Sequence, residues 1–308
     1  MKKIVGLSCG RKNGNSEILL KEAAKGAEEF GVETEIIRAA TLNINPCTNC
    51  QYCARCFWQG KEVKCVIDDD VEWILEKTLL EDCALIISGP VYHLRANSTF
   101  MAINDRMLTL TMRHPEIQNK TRVGAIISVG GAGSDWTNLG LFTAQEYLQH
   151  TRVLVDQYQV NDAAEPGAVL FDYNCEQLKR VRQLGRNVAK AMSIPIEEVK
   201  YMGEDGDVSC PVCHCNVIQV PNALPEVVCP ICWVHGLMVA DGDKMKVVWN
   251  EEEAKKPRFS QHGINEHKKY IMNIVEKAKI AREKPELKEM IKQYKAYGNI
   301  IEPSSLNK

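Results

Sequence analysis

Between residues 4 and 192, short apolar runs alternate with helix-length amphipathic stretches five times over, and no other feature of the chain narrows its fold as much. Residues 4–8 read as a buried strand. Ile18, Leu19, Ala23, Ala27 and Phe30 then recur near helical period over about 16–30, where Gly31 supplies a stop. Residues 34–38, 84–88, 123–129 and about 152–160 read as four more strands. Helices are expected over about 70–80 behind an Asp70 cap, about 98–110, up to about His150, and about 175–192. This alternation predicts an α/β fold, a five-stranded parallel sheet with helices on both faces. Ligands of such sheets sit outside the carboxyl ends of the strands, so the loops at that edge are where chemistry is expected.

The pattern stops near residue 193, which closes the first expected domain, 1–193. A second expected unit, 207–250, contains Asp241-Gly242 between two short apolar runs, a hairpin signal. Residues 251–308 form an expected helical tail, helical from His262, with Pro285 opening the last helix and Gly298 ending it. The five-strand pattern is complete by Met192, so a chain ending near Ser193 is expected to fold without the rest.

Composition excludes several function classes. Forty acidic against thirty-eight basic residues give a net charge of −2, which argues against a nucleic-acid binder. No apolar run approaches the ~18 residues that a membrane span needs. Met1-Lys2-Lys3 resembles the start of a signal segment, but Gly10, Arg11 and Lys12 break the apolar stretch behind it. A cytoplasmic location is therefore expected. In that compartment, clustered cysteines bind metal or do redox chemistry.

There are thirteen cysteines. Cys47, Cys50, Cys53 and Cys56 follow one another in C-x2-C steps within the long excursion 39–70, with Cys65 beyond them. The loops are too tight for disulfides. A C-x2-C-x2-C run suits three corners of a [4Fe–4S] cube, the fourth thiolate coming from elsewhere. Zinc is the competing reading, because Zn²⁺ also takes four thiolates. Cys210-Pro-x-Cys213 and Cys229-Pro-x-Cys232 form a second set, two knuckles separated by fifteen residues. Such paired knuckles signal tetrahedral S₄ coordination of Zn²⁺ or of a single rubredoxin-type iron, with zinc preferred here. Rubredoxin knuckles place glycine after the second cysteine, where this chain has His214 and Trp233. Those bulky residues argue against rubredoxin-like N–H···S bonds. Cys215 and His214 are possible substitute ligands, unless both simply face solvent. A ribbon this small would draw much of its folding free energy from the metal.

The loop 8–16, Ser-Cys-Gly-Arg-Lys-Asn-Gly-Asn-Ser, joins the first strand to the first helix. Its hydroxyls, amides and glycines lead into a helix N-terminus, where unpaired N–H groups and the helix dipole favour an anion. A plain strand-to-helix turn is the alternative. Its wording resembles the FMN-phosphate loop of the flavodoxin-like NADPH-dependent FMN reductase family, with Cys9-Gly10 where Ser-Pro is common. Two further loops resemble that family in the same order: Gly89-Pro90-Val91-Tyr92-His93, with Asp105-Arg106 in the next helix, and Ser128-Val129-Gly130-Gly131-Ala132-Gly133-Ser134. The first cysteine run, with Cys65 followed by Asp68-Asp69-Asp70, resembles the iron–sulfur flavoprotein branch of the family.

The resemblance implies a flavodoxin-like fold. It also implies FMN held by Ser8, Arg11, Asn13, Asn15, Ser16, Pro90, Val91, Tyr92, His93, Gly130, Gly131, Gly133 and Ser134. Tyr92 and His93 are the candidates for a catalytic role. The implied cluster loop spans about 45–66, with Cys47, Cys50, Cys53 and Cys65 as ligands and Cys56 as rival fourth. Cys210, Cys213, Cys229 and Cys232 would hold the ribbon metal. The implied activity passes electrons from a low-potential donor such as ferredoxin, through the cluster and FMN, to a small two-electron acceptor, in a homo-oligomer. Direct NAD(P)H-dependent reduction of flavins, quinones or other small molecules is the alternative within enzymes. A zinc-ribbon protein that senses redox state is the alternative outside them.

Overall fold

The structure, a computed structural model, describes residues 3–298; Met1-Lys2 and residues 299–308 of the expected tail lie outside the described residues. Five parallel strands form the sheet in the order β2-β1-β3-β5-β6: β1 (Lys3–Ser8), β2 (Glu33–Arg38), β3 (Cys83–Tyr92), β5 (Val123–Val129) and β6 (Val153–Val160). A two-residue strand, β4 (Arg95–Ala96), folds back antiparallel on the end of β3. Neighbouring residues along each strand serve opposite faces. Ile4, Ala84, Ile86, Ala125, Ile127 and Val155 join the core under α1 (Asn15–Glu28) and α7 (Cys175–Ala191). Val5, Leu7, Leu85, Ile87, Ile126 and Leu154 join the other core. That second core is built with α3 (Val71–Leu75), α4 (Ser98–Asp105), α5 (Met107–Arg113) and α6 (Gly140–Gln149). The helices α1 and α7 touch backbone to backbone, since a Cβ added at Gly185 would lie 1.8 Å from the Ala23 carbonyl oxygen.

Three departures from the sequence reading have local causes. The excursion 39–70 is not structureless, because α2 (Tyr52–Trp58) forms inside it and packs against α5. The helix expected over about 70–80 is α3 followed by a π-turn, Glu76–Leu80, within which Thr78 Oγ1 bonds the Ile74 carbonyl at 2.7 Å and the Tyr147 hydroxyl at 2.7 Å. The helix expected over about 98–110 breaks at Arg106, whose side chain is committed to the base of the cysteine loop.

The ribbon consists of two cysteine knuckles and a three-stranded antiparallel sheet of β7 (Glu226–Val228), β8 (His235–Asp241) and β9 (Lys244–Trp249), with the Asp241-Gly242 turn as expected. Behind it comes α8 (Glu251–Ala254). The chain divides into two compact units, 1–261 and 262–308, so the ribbon belongs to the same unit as the parallel sheet. Most of α9 (Gln261–Arg282) and all of α10 (Pro285–Ala296) lie in the second unit. Among the described residues, no helix is long and apolar enough to cross a membrane.

Candidate active site and metal centre

At the carboxyl edge of the sheet, loops after β1, β3, β5 and β6 enclose a cavity of about 430 Å³, lined by Gly10, Arg11, Asn15, Ser16, Pro90, Val91, Tyr92, Val129, Gly131, Ala163 and Ala164. One end is the N-terminus of α1, whose cap residue Gly14 contributes no side-chain bond to the first-turn N–H groups. Those donors and the positive end of the helix favour an anion there. A Cβ on Gly10 would stand 2.8 Å from Ser16 Oγ, so glycine keeps this end open. Pro90, Val91 and Tyr92 form a mostly apolar wall, and Tyr92 is 59% exposed.

The loop after β1 is held from behind. Asn13, at φ 56°, donates its N–H to Glu17 Oε2 at 3.0 Å. The Glu17 carboxylate is fully buried and paired with Arg38 and Lys21. The Arg38 guanidinium, with Lys21 and the Asn13 N–H adding to it, holds this carboxyl down to about 2. Burial pushes the Cys9 thiol up to about 12, which leaves it an inert packing residue.

The resemblance-implied residues therefore divide. Arg11, Asn15, Ser16, Pro90, Val91, Tyr92 and Gly131 line the cavity. The Asn15 side chain is nevertheless spent on the loop after β6: it donates to the Ala163 and Glu165 carbonyls at 2.7 and 2.8 Å and accepts from the Gly167 N–H at 2.8 Å. Asn13 braces the loop from outside the lining. Ser8 is buried beneath it, and its Oγ makes no hydrogen bond. Gly130 packs against Thr137, and its N–H bonds the Val160 carbonyl at 2.8 Å. Gly133 and Ser134 open a short 3₁₀ turn further out. His93 sits at φ 54° and Leu94 at φ 76° in the exposed turn joining β3 to β4, off the lining. Sequence reasoning missed Ala163 and Ala164, because small apolar residues in a loop carry no chemical signal. It also missed Asn97, whose Nδ2 donates to the Cys9 carbonyl at 2.8 Å while its buried Oδ1 makes no hydrogen bond.

The first cysteine loop is stapled at its base. Arg106, 3% exposed, donates to the Asn45 carbonyl before Cys47 and to the Ile67 carbonyl after Cys65. The same guanidinium pairs with the buried Asp69 carboxylate at 3.0 Å. Asp69 also accepts from the Asn45 and Val71 N–H groups, and Asp70 from that of Asn43. Within the loop, the N–H groups of Asn49 and Ile67 point at the sulfurs of Cys47 and Cys65, at 3.4 and 3.5 Å. Cys47 and Cys50 are exposed, Cys53 and Cys65 half-buried, and Cys56 is buried on α2.

Among the described residues, Cys210, Cys213, Cys229 and Cys232 are the only group of three or more candidate ligands whose donor atoms all lie within 4.8 Å of one another. Four thiolates about 2.3 Å from one ion would stand ~3.8 Å apart, so this set fits a single tetrahedral ion. The two knuckles repeat each other. His214 and Trp233 donate N–H to the Cys210 and Cys229 carbonyls at 2.9 and 2.8 Å. Cys210 and Cys229 in turn donate to the carbonyls of Cys215 and Val234, both at 2.9 Å.

His214 and Trp233 adopt the left-handed conformation, at φ 57° and 62°, where rubredoxin knuckles have glycine. The His214 ring stacks on Tyr201 at 3.7 Å and meets Asp205, while Trp233 lies under Arg258. The bulky residues thus do not prevent the knuckle turn, and the Cys232 N–H reaches Cys229 Sγ at 3.4 Å. Cys215 is 3% exposed, packed among the four sulfurs, and His214 is mostly covered, so neither faces solvent.

A family model described as NADPH-dependent FMN reductase matches residues 2–191. The chain belongs to that family, in its iron–sulfur flavoprotein branch. An iron–sulfur flavoprotein of Archaeoglobus fulgidus is 31% identical over 207 residues, covering 67% of this chain and 85% of that protein. One from Methanocaldococcus jannaschii is 28% identical over 199 residues, covering 62% of this chain and 98% of that one. A solved structure titled flavone reductase covers 98% of this chain and 100% of its own at a TM-score of 0.76 and 24% identity, and has the same fold. The chain is thus an FMN-dependent oxidoreductase with a flavodoxin-like domain. Its cavity fits the family cofactor, with an anion site at the uncapped start of α1 and an apolar wall for the ring system. When bound, FMN supplies one- and two-electron redox chemistry. The uncapped start of α1, the Pro90–Tyr92 wall and the backbone of Gly131 would hold it.

Proposed function

We propose that the chain takes single electrons from a low-potential donor through a [4Fe–4S] cluster in the loop 45–66, collects them at FMN, and delivers them to a small two-electron acceptor at the Tyr92 wall. The observation that carries this reading is the stapled cysteine loop. Five thiols lie on a segment whose two ends are fixed to the sheet domain by Arg106, Asp69 and Asp70, with N–H groups aimed at the sulfurs of Cys47 and Cys65. Thiolates that ligate iron are stabilised by such bonds. The buried position of Cys56 supports Cys47, Cys50, Cys53 and Cys65 as ligands. The ribbon takes zinc in this reading, because four buried sulfurs with no open position suit a structural ion. Asn13, Gly133 and Ser134 support the loops that hold FMN, and Tyr92 flanks the acceptor.

Anaerobic purification with iron, sulfide, zinc and flavin counted per chain tests the whole reading. Cys47→Ser, Cys50→Ser, Cys53→Ser and Cys65→Ser are each expected to lose iron and sulfide while keeping FMN, and Cys56→Ser to keep all three. A fully flavinylated preparation without sulfide rejects the cluster and leaves direct reduction by NAD(P)H as the electron source. That route is read as bleaching of the flavin on mixing.

A further inference from the structure

Besides the staple at its base, the cysteine loop meets the domain at one face of α5. Arg106, just before that helix, and Thr109, Leu110 and Arg113 within it stand at i, i+3, i+4 and i+7, so they share a side. With Glu72 and Leu75 of α3 they close around Cys65 in a gap of about 10 Å³, the space of about one water molecule. Arg106 spends its terminal nitrogens on the loop base and on Asp69. Arg113, half-buried at the end of α5, pairs with Glu72 and lies 3.9 Å from Glu76. Both of those carboxylates belong to α3 and the π-turn behind it, so Arg113 does not staple the loop. Each guanidinium is thus neutralised at its terminal nitrogens, yet each keeps a buried Nε–H without an acceptor. Buried donors are seldom left unpaired, and here two of them line the same gap as a sulfur.

We infer that Arg113, together with Arg106, directs its free Nε–H at the Cys65 side of the iron–sulfur centre and raises the reduction potential of that centre. Arg113 is a positioning residue, acting on the centre through Cys65. The inference rests on the proposed cluster and deepens it by naming what tunes it. A centre ligated by Cys65 gains one negative charge when it accepts an electron, and its donor is left oxidised by one. N–H groups aimed at its sulfurs stabilise the more negative, reduced form more than the oxidised one. The effect comes from the direction of the donors rather than from net charge, because Asp69 and Glu72 already balance the two cations. A site closed to all but about one water keeps such bonds strong. Cys56 does not line this gap, so the donors act on Cys65 and not on its rival.

The test is an anaerobic dithionite titration of the full-length, cofactor-loaded protein, with the cluster followed by electron paramagnetic resonance and the flavin by absorbance. The double variant Arg113→Met, Glu72→Gln removes the donor without changing the local charge. It should make reduction of the cluster about tenfold less favourable, a fall of about 59 mV for one electron. Glu72→Gln alone frees the guanidinium from its carboxylate and should shift the potential the opposite way. Arg113→Lys keeps a cation without the planar fork and should fall between parent and double variant, with an altered resonance signal. Arg186→Met, on α7 under the other face of the sheet, should change nothing. The flavin couples should stay in place in every variant, because the gap shares no lining residue with the cavity. An unchanged cluster potential in the double variant overturns the inference. So does a fall in Glu72→Gln, or a flavin shift as large as the cluster's, which would mark a general loosening of the domain. A preparation without sulfide fails the cluster reading instead. The contact is then decided on that protein by the ratio of Cys65 alkylation with anionic iodoacetate to that with neutral iodoacetamide, read by peptide mass spectrometry. Arg113→Met should lower this ratio about threefold and Glu72→Gln should raise it; equal ratios in both variants overturn the inference there as well.

Discussion

Glu17 shows how much of a cavity is set by a residue that does not line it. It lies in the first turn of α1, where a carboxylate offsets the helix dipole. In the structure it is the strut of the anion-binding loop, taking the Asn13 N–H, Arg38 and Lys21 together. Its carboxyl is held down to about 2 from an ordinary 4.5, so its contribution to stability is complete above about pH 4.5 and is lost as pH falls toward 2. Arg38 is partly exposed, and solvent screening limits the contribution to about 1–2 kcal/mol. Glu17→Gln should flatten the unfolding-versus-pH curve between pH 5 and 2 and weaken FMN retention; an unchanged acid limb in denaturant titrations would reject the role. The same scale governs the ribbon. At φ 62°, Trp233 stands where glycine would be unstrained. Trp233→Gly should therefore keep the metal, trading relief of about 1 kcal/mol of strain against the Arg258 contact. A β-branched Trp233→Val, disfavoured at that φ, should lower metal affinity at least tenfold in a competitive chelator titration.

Elements with strong periodicity were legible in the sequence, and those fixed by tertiary contacts were not. Strand β5 (Val123–Val129) coincides with its expected span, and α7 (Cys175–Ala191) falls within one residue of it, because both are continuous in pattern. The short α2 was invisible: in seven residues there is little room for a period, and it exists because Cys56 packs inward and α2 rests against α5. The residues lining the cavity at the sheet edge were partly legible, since glycines and hydroxyls before a helix have a physical reason. Which of them serve as struts, such as Asn15, depended on a loop about 150 residues away.

The ribbon's attachment was likewise hidden. Gln145 on α6 donates to the Cys213 carbonyl at 3.1 Å, and Gln157 on β6 donates to the His214 carbonyl at 2.9 Å. Phe142 packs into the ribbon core. A chain ending near Ser193 would uncover all three. Such a truncation is expected to lose a few kcal/mol through unpaired glutamines and exposed apolar surface, a fall of about 5–10 °C in Tm. An unchanged Tm by calorimetry would show that the ribbon contributes nothing to the sheet domain.

At the scale of the whole molecule, the question is what an ion held by the four ribbon sulfurs would do for a cavity built entirely from the parallel sheet and its loops. The buried core of the ribbon is largely sulfur: Cys210, Cys213, Cys215, Cys229 and Cys232, with Ile231 and Val234. Without an ion, four of those sulfurs face one another with nothing to hold them, and so little apolar area cannot offset chain entropy. The sheet domain has two extensive cores of its own, one on each face. Removing the ion with a chelator under anaerobic conditions should therefore unfold the ribbon first. The expected record is a loss of protection in hydrogen exchange over residues 208–250, with Tyr201 and Gln157 loosened next to it. Bound FMN should persist with its fluorescence still quenched, because none of the cavity-lining residues belongs to the ribbon. The main thermal transition should drop by about the same 5–10 °C as in the truncation, and FMN added in excess should restore part of it by mass action. Simultaneous release of flavin and metal at every chelator concentration would contradict this order. It would mean that Gln145 and Gln157 transmit the ribbon's state to the cavity, and that the ion is a determinant of flavin binding as well as of local stability.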